Sequence, residues 1–210
     1  DFTGTRIESS APVAVFSGLE RGIGFGGANP PLQAGYEDGC CTDHLEHQMY
    51  PTRALGWDFV ISRSPVRSTD PSYKEPDIYR VLATENNTVV TTSLSEFPSF
   101  TLNAGEYHTF WAQEGFTISA EGGAIMVGQY IISAGYIPGG NGDPTFIVFP
   151  AADQHRSEYV YLIPTSFEDN YMVLAMPEGS AIDIDGVALS EFQTQCVTDP
   201  IGVYNSVNYQ

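Results

Sequence analysis

Ile78-Tyr-Arg-Val-Leu-Ala83, then Glu85-Asn-Asn87, then Thr88-Val-Val-Thr-Thr92 is the stretch that decides the fold. Two runs rich in β-branched and aromatic residues flank a short polar break. Asparagine tolerates the positive φ of a tight turn, so the segment reads as a β-hairpin. Ser99-Phe-Thr-Leu102, Asn103-Ala-Gly105 and Tyr107-His-Thr-Phe-Trp111 repeat the pattern and read as a second hairpin. Asp185-Gly186 between Ala181-Ile-Asp-Ile184 and Val187-Ala-Leu189 reads as a third.

Working outward, more strand signals follow at Ala11–Phe16, Trp57–Ile61, Ala124–Ile132, Phe146–Phe149, Tyr159–Ile163 and Tyr171–Ala175. Val203-Tyr-Asn-Ser-Val-Asn-Tyr-Gln210 alternates as a strand does, and no partner for it follows in the sequence. An unpaired edge invites association, so residues 200–210 are expected to pair with a strand outside this chain. No segment sustains a 3.6-residue apolar period, and at most a helical turn is expected between Asp153 and Glu158. The 21 glycines and 14 prolines interrupt the chain too often for long helices. The expected fold is all-β: antiparallel sheets packed as sandwich-like or propeller-like tandem units.

A weak internal repeat supports tandem units. Tyr79-Arg-Val-Leu-Ala83 followed by Thr88-Val-Val90 resembles Tyr171-Met-Val-Leu-Ala175 followed by Ser180-Ala-Ile182. Similar matches link Trp57-Asp-Phe-Val60 to Tyr159-Val-Tyr-Leu162. The chain therefore divides into similar units of about 1–100 and 101–210, entered in mid-copy. Loops 17–42, 62–77 and 134–145 carry the Gly/Pro load and read as binding surfaces or disordered insertions.

Composition narrows the function. Hydrophobic residues make up 42% of the 210, enough to fill a core. The chain holds 26 acidic against 8 basic residues, a net charge of −18. No lysine or arginine lies between Arg80 and Arg156 or after Arg156. A nucleic acid or an anionic membrane would meet repulsion, so neither is an expected partner. No run of 18 apolar residues is present, so membrane insertion is not expected. The chain opens Asp1-Phe2-Thr3-Gly4, without a leader, and reads as a processed or excised piece of something longer.

Chemical motifs are sparse. Gly22-Ile-Gly-Phe-Gly-Gly27 formally satisfies G-x-G-x-x-G, yet Asn29-Pro-Pro31 forbids the helix that would meet a pyrophosphate, so it reads as a loop. Asp43-His-Leu-Glu-His47 is the one histidine cluster. On a strand, His44 and Glu46 would share one face and His47 the other. On a helix, His44 and His47 would be neighbours able to take a metal with Asp43. Asp143, in Asn141-Gly-Asp143, adds a candidate oxygen ligand for calcium, as do Glu37 and Asp38. Asp183-Ile-Asp-Gly186 resembles part of a calcium loop and reads as a hairpin turn instead. Asn86-Asn-Thr88 is an N-glycosylation acceptor in an expected exposed turn. No cofactor is expected, with calcium the one candidate ion. Cys40, Cys41 and Cys196 hold no zinc pattern. Neighbouring Cys40 and Cys41 could pair only under strain, and a bridge from one of them to Cys196 is the easier geometry. Three free thiols are the alternative, and the acidic, turn-rich, lysine-poor composition favours the bridge.

Taken together, Pro12-Val-Ala-Val-Phe-Ser-Gly18, Cys41-Thr-Asp-His-Leu-Glu-His-Gln48, Leu55-Gly-Trp57, Leu102-Asn-Ala-Gly-Glu106, Val127-Gly-Gln-Tyr130, Gly142-Asp-Pro144 and Ile184-Asp-Gly186 resemble one family, in order and across nearly the whole chain. It is the N-terminal domain family of IgGFc-binding protein, in the version found in large secreted bacterial proteins. The resemblance implies an extracellular, all-β, non-enzymatic module. It also singles out Cys41, nearest the family-like Asp43-His44, as the partner of Cys196. Against that resemblance the chain is expected to stop before the family's closing Gly/Tyr-rich segment, so that either the domain is truncated or the missing strands come from elsewhere.

The first functional expectation is a binding or adhesion module of a large secreted or cell-surface protein, with a protein or glycan ligand. The second is a structural subunit of an extracellular filament or sheath, its partners identical subunits. The third is a calcium-dependent carbohydrate-active enzyme, which needs two carboxylates converging in a cleft.

Overall fold

In the computed structural model, residues 2–162, 170–192, 196–202 and 204–209 are described, the side chains of 196–199 and 208–209 excepted. Fifteen strands run through them and no α-helix, only single turns of 3-10 helix. Two four-stranded antiparallel sheets form the body. The first has the order β10 (Thr145–Val148), β9 (Ile125–Ile131), β4 (Asp77–Ala83), β7 (Tyr107–Ala112). The second has the order β3 (Asp58–Ile61), β8 (Phe116–Glu121), β5 (Thr88–Thr92), β6 (Ser99–Leu102). Their facing side chains make one core: Tyr79, Phe110 and Val127 from the first sheet meet Phe59, Val90 and Phe116 from the second. Tyr79 meets Phe116 edge-on with ring centroids 4.9 Å apart, an arrangement worth about 0.5–1.5 kcal/mol beyond the area buried. The fold is all-β with antiparallel sheets, as expected, and of the two packings considered it is the sandwich-like one.

The two leading hairpins are not hairpins. β4 belongs to the first sheet and β5 to the second, so residues 84–87 carry the chain from one layer to the other. β6 and β7 are separated in the same way by residues 103–106. Asn87 does adopt positive φ, at 56°, as its residue type permits. The turn chemistry was legible, but it closes an inter-sheet corner. Thr84 and Thr88 secure that corner by donating their hydroxyls to the carbonyls of Ala124 and Glu85, at 2.7 and 2.8 Å. The Asp185-Gly186 hairpin is present. It joins β12 (Asp183–Ile184) to β13 (Val187–Ala188), with φ of 51° and 85° at its two central residues. Strand β8 was not expected, although Phe116, Ile118 and Ala120 alternate inward along it.

Three further expectations are corrected. The first strand, β1, spans Phe16–Gly22 rather than 11–16 and pairs with β2 (Asp43–Gln48). Residues 159–162 form no strand. Val160 and Leu162 are 97% and 94% exposed, and Ile163 lies outside the described residues. Residues 204–209 find their partners within the chain. As β15 (Tyr204–Tyr209) they run between β11 (Met172–Pro177) and β14 (Cys196–Ile201) in a three-stranded sheet. Folding back between two earlier segments satisfies both edges of β15, so no outside strand is needed. Both four-stranded sheets also draw strands from each side of residue 100, so that boundary divides neither of them.

The loops expected to be open surface cover the outer face of the first sheet instead. Ile23, Phe25, Ala28 and Leu32 pack on Ile78, Ile132, Tyr136 and Ile137. β4 is therefore buried on both faces. The dinucleotide-like glycines serve this packing: Gly24 has φ 88°, and a Cβ there would stand 2.5 Å from the Ile131 carbonyl oxygen. Arg80 pins the same layer. Its guanidinium donates to Thr3 Oγ1 and to the Gly26 carbonyl and lies 4.4 Å from the Tyr107 ring centroid.

Candidate functional site

The outer face of the second sheet carries a groove of about 400 Å³. Its floor follows from strand alternation. Phe59 and Ile61 on β3, and Phe116, Ile118 and Ala120 on β8, point into the sandwich. Asp58 and Val60, opposite Ser119 and Thr117 in the register, therefore face outward. One wall is Trp57, just before β3, and another is Ala152–Asp153 in the 3-10 turn Ala152–Gln154. Tyr204, at the start of β15, closes the groove from the three-stranded sheet.

Local packing holds these walls together. Gly56 bridges to Ile125, and its absent side chain lets Ala151 come so close that a Cβ would be 2.2 Å from the Ala151 methyl. The same hypothetical Cβ lies 3.7 Å from Asp153 Oδ1, which sets that carboxylate beside Trp57's neighbour. Gln154 donates from its side chain to the Ala54 carbonyl and ties the turn to the segment before Trp57. On the far side, Ile201 is buried against Gly115, at the turn into β8. Trp57 is 51% exposed, and Asp58 and Asp153 are exposed. Neither carboxylate forms an ion pair among the described residues. A half-open indole face beside two carboxylates can stack a planar or cationic group and neutralise a positive charge.

The histidine cluster lies elsewhere and stays apart. On strand β2, His44 Nε2 is 3.1 Å from Glu46 Oε2 on one face, while His47 turns to the other and its Nδ1 meets the Gln48 carbonyl at 2.7 Å. Asp43 Oδ1 accepts from the His44 amide. The His47 ring packs edge-on to Phe146, 6.1 Å between centroids. Asp143 is exposed in the loop before β10. Among the described residues no three His, Cys, Asp or Glu side chains come together to hold a metal. Asn86 is exposed, and its side-chain oxygen accepts from the Ala104 amide at 3.1 Å.

The bridge expected between Cys41 and Cys196 is corrected in its pairing: Cys41 is bonded to Cys40. The peptide bond between them is cis and their Cα atoms are 3.2 Å apart, which brings the adjacent sulfurs together. Ser133 clasps the pair, its hydroxyl accepting from the Cys41 amide and donating to the Cys40 carbonyl at 2.8 and 2.7 Å. The Cys196 side chain is outside the described residues.

A buried polar seam is the feature that sequence reasoning missed. Loop 62–77 is anchored at both ends: Arg63, Ser64, Glu75 and Asp77 are all buried. Asp77 accepts from the Ser64 amide at 2.7 Å, the Ser64 hydroxyl at 2.6 Å and Gln129 Nε2 at 2.8 Å. Burial raises its pKa above the usual carboxylate value, opposed by Arg63 and the Ser64 hydrogen bonds. Glu75 accepts from the amides of Arg67 and Ser68, and the Arg63 guanidinium donates to its carbonyl. The seam fixes the long loop against β4 and β9.

A family model described as IgGFc binding protein matches residues 1–209. The chain belongs to that family, and membership places it among extracellular binding domains. Comparison with curated proteins found no match, and comparison with solved structures found none. Among the described residues no helix is long and apolar enough to cross a membrane.

Proposed function

We propose that this chain is a non-enzymatic extracellular module that binds a protein partner through the groove between Trp57 and Tyr204. The observation that carries this reading is the groove itself: an exposed aromatic wall over an outward-facing floor of Asp58, Val60, Thr117 and Ser119, with walls from three distant segments. Rigid placement of aromatic side chains is what recognition surfaces require. A glycosidase reading would use Asp58 and Asp153 as its two carboxylates. Retaining and inverting mechanisms both need one of the pair held protonated by its surroundings. Both of these side chains are open to water, which favours binding over hydrolysis.

The test is a surface-binding measurement on the immobilised chain. The panel contains purified secreted proteins and immunoglobulin G Fc, the ligand for which the family is named. The expected result is a saturable partner whose binding is lost in the W57A/Y204A double variant. A partner held equally well by that variant would remove the groove from the reading.

A further inference from the structure

We propose that the groove recognises a basic segment of the partner, seating a lysine or arginine side chain between Trp57 and the carboxylates of Asp58 and Asp153. The inference rests on the binding role assigned to this groove and adds the chemistry of what it takes.

Three observations converge. The first is what the groove offers to a ligand: Trp57 and Tyr204 on its walls, the carboxylates of Asp58 and Asp153, and the hydroxyls of Thr117 and Ser119 over an apolar base that includes Val60, with no basic side chain among its lining residues. A cation over an indole face gains from the ring quadrupole, and a neighbouring carboxylate supplies the counter-charge. The second is that this counter-charge is available. The basic residues closest along the chain are Arg53, Arg63 and Arg156, and none lines the groove; Arg63 is buried and donates to the Glu75 carbonyl. The Arg156 guanidinium donates to the carbonyls of Asp153 and His155 at 3.2 and 2.9 Å, and it makes no ion pair with the Asp153 carboxylate. The third is the field of the whole molecule. A net charge of −18 steers cationic segments toward the surface and repels anionic ones. A neutral sugar would use the aromatic faces but would gain nothing from that field. The charge complementarity therefore selects a basic peptide over a glycan.

Binding of a hexalysine peptide to the full chain, followed by intrinsic tryptophan fluorescence, tests this. The expected result is a saturable change that disappears in W57F, leaving Trp111 as the silent indole. D58N/D153N is expected to weaken binding about tenfold, the sum of two partly exposed ion pairs. E20Q/E96Q removes the same charge from exposed positions away from the groove and should change affinity by less than about twofold if recognition is local. Equal weakening by the two double variants would mean a diffuse field rather than a site, and would overturn the proposal. So would saturation by chitohexaose without any response to hexalysine, which would identify a glycan site. If hexalysine fails while a protein partner is still lost in W57A/Y204A, the basic-segment inference falls and the binding role stands. If W57A/Y204A alters no binding at all, both fall.

Discussion

Replacing Asp77 by alanine removes a fully buried carboxylate on which three donors converge. The Ser64 amide, the Ser64 hydroxyl and Gln129 Nε2 all lie within 2.8 Å of its oxygens. Gln129 is shared with the Tyr79 hydroxyl only weakly, at 3.4 Å. Each buried donor left without an acceptor costs about 1–3 kcal/mol. Arg63 and Arg67 would also lose a compensating charge, and breaking one side of a buried ionic cluster costs about 3–5 kcal/mol. The two routes overlap, so the expected loss is about 3–5 kcal/mol, a large part of the about 5–15 kcal/mol that holds a domain folded. Urea unfolding followed by tryptophan fluorescence measures it. Should D77A fail to fold, S64A is the graded version. It removes the hydroxyl donor and keeps the amide, for an expected loss of about 1–2 kcal/mol. A D77A chain within about 0.5 kcal/mol of wild type, the scale of a surface change, would refute the claim that this seam anchors loop 62–77.

The pH dependence of stability follows from the same carboxylate. Burial raises the folded-state pKa of Asp77 above its ordinary 3.8, so the folded chain holds that proton more tightly than the unfolded one. Its contribution is full below the unfolded value and is lost as pH rises through the folded one. The stability difference between wild type and D77N should therefore shrink as pH climbs from the ordinary value, and a difference that grows with pH would contradict it. Gly56→Ala places a methyl 2.2 Å from that of Ala151 and should cost about 1–3 kcal/mol by overpacking. It should also weaken partner binding, because the turn bearing Asp153 must move. A non-reducing tryptic map should recover residues 22–53 as one peptide, lighter than the reduced form by two hydrogens. Recovery of that peptide joined to the one containing Cys196 would restore the long-range bridge.

Alternation and turn residues along the chain marked many of the segments that become strands, though not β8. Ile78–Ala83, Thr88–Thr92 and Tyr107–Trp111 carry branched and aromatic residues between polar breaks, and local sterics alone send such runs to extended backbone. The Asp185-Gly186 hairpin was equally local, since two consecutive residues at positive φ specify that turn. Pairing was not local. The same Asn87 that suits a hairpin serves as well at a corner between layers, because positive φ reverses the chain without saying which sheet receives it. That choice was made by the core, where Tyr79 and Phe116 meet only if β4 and β8 lie in opposite sheets. Loop 62–77 looked open because its residues are polar. Its ends are buried because Glu75 and Asp77 find donors on Ser64, Arg67, Ser68 and Gln129, partners that no linear spacing reveals. The binding groove was invisible for the same reason. Trp57, Ser119, Asp153 and Tyr204 are scattered across the chain, and only packing the three-stranded sheet and the Ala152–Gln154 turn against β3 and β8 brings them to one place.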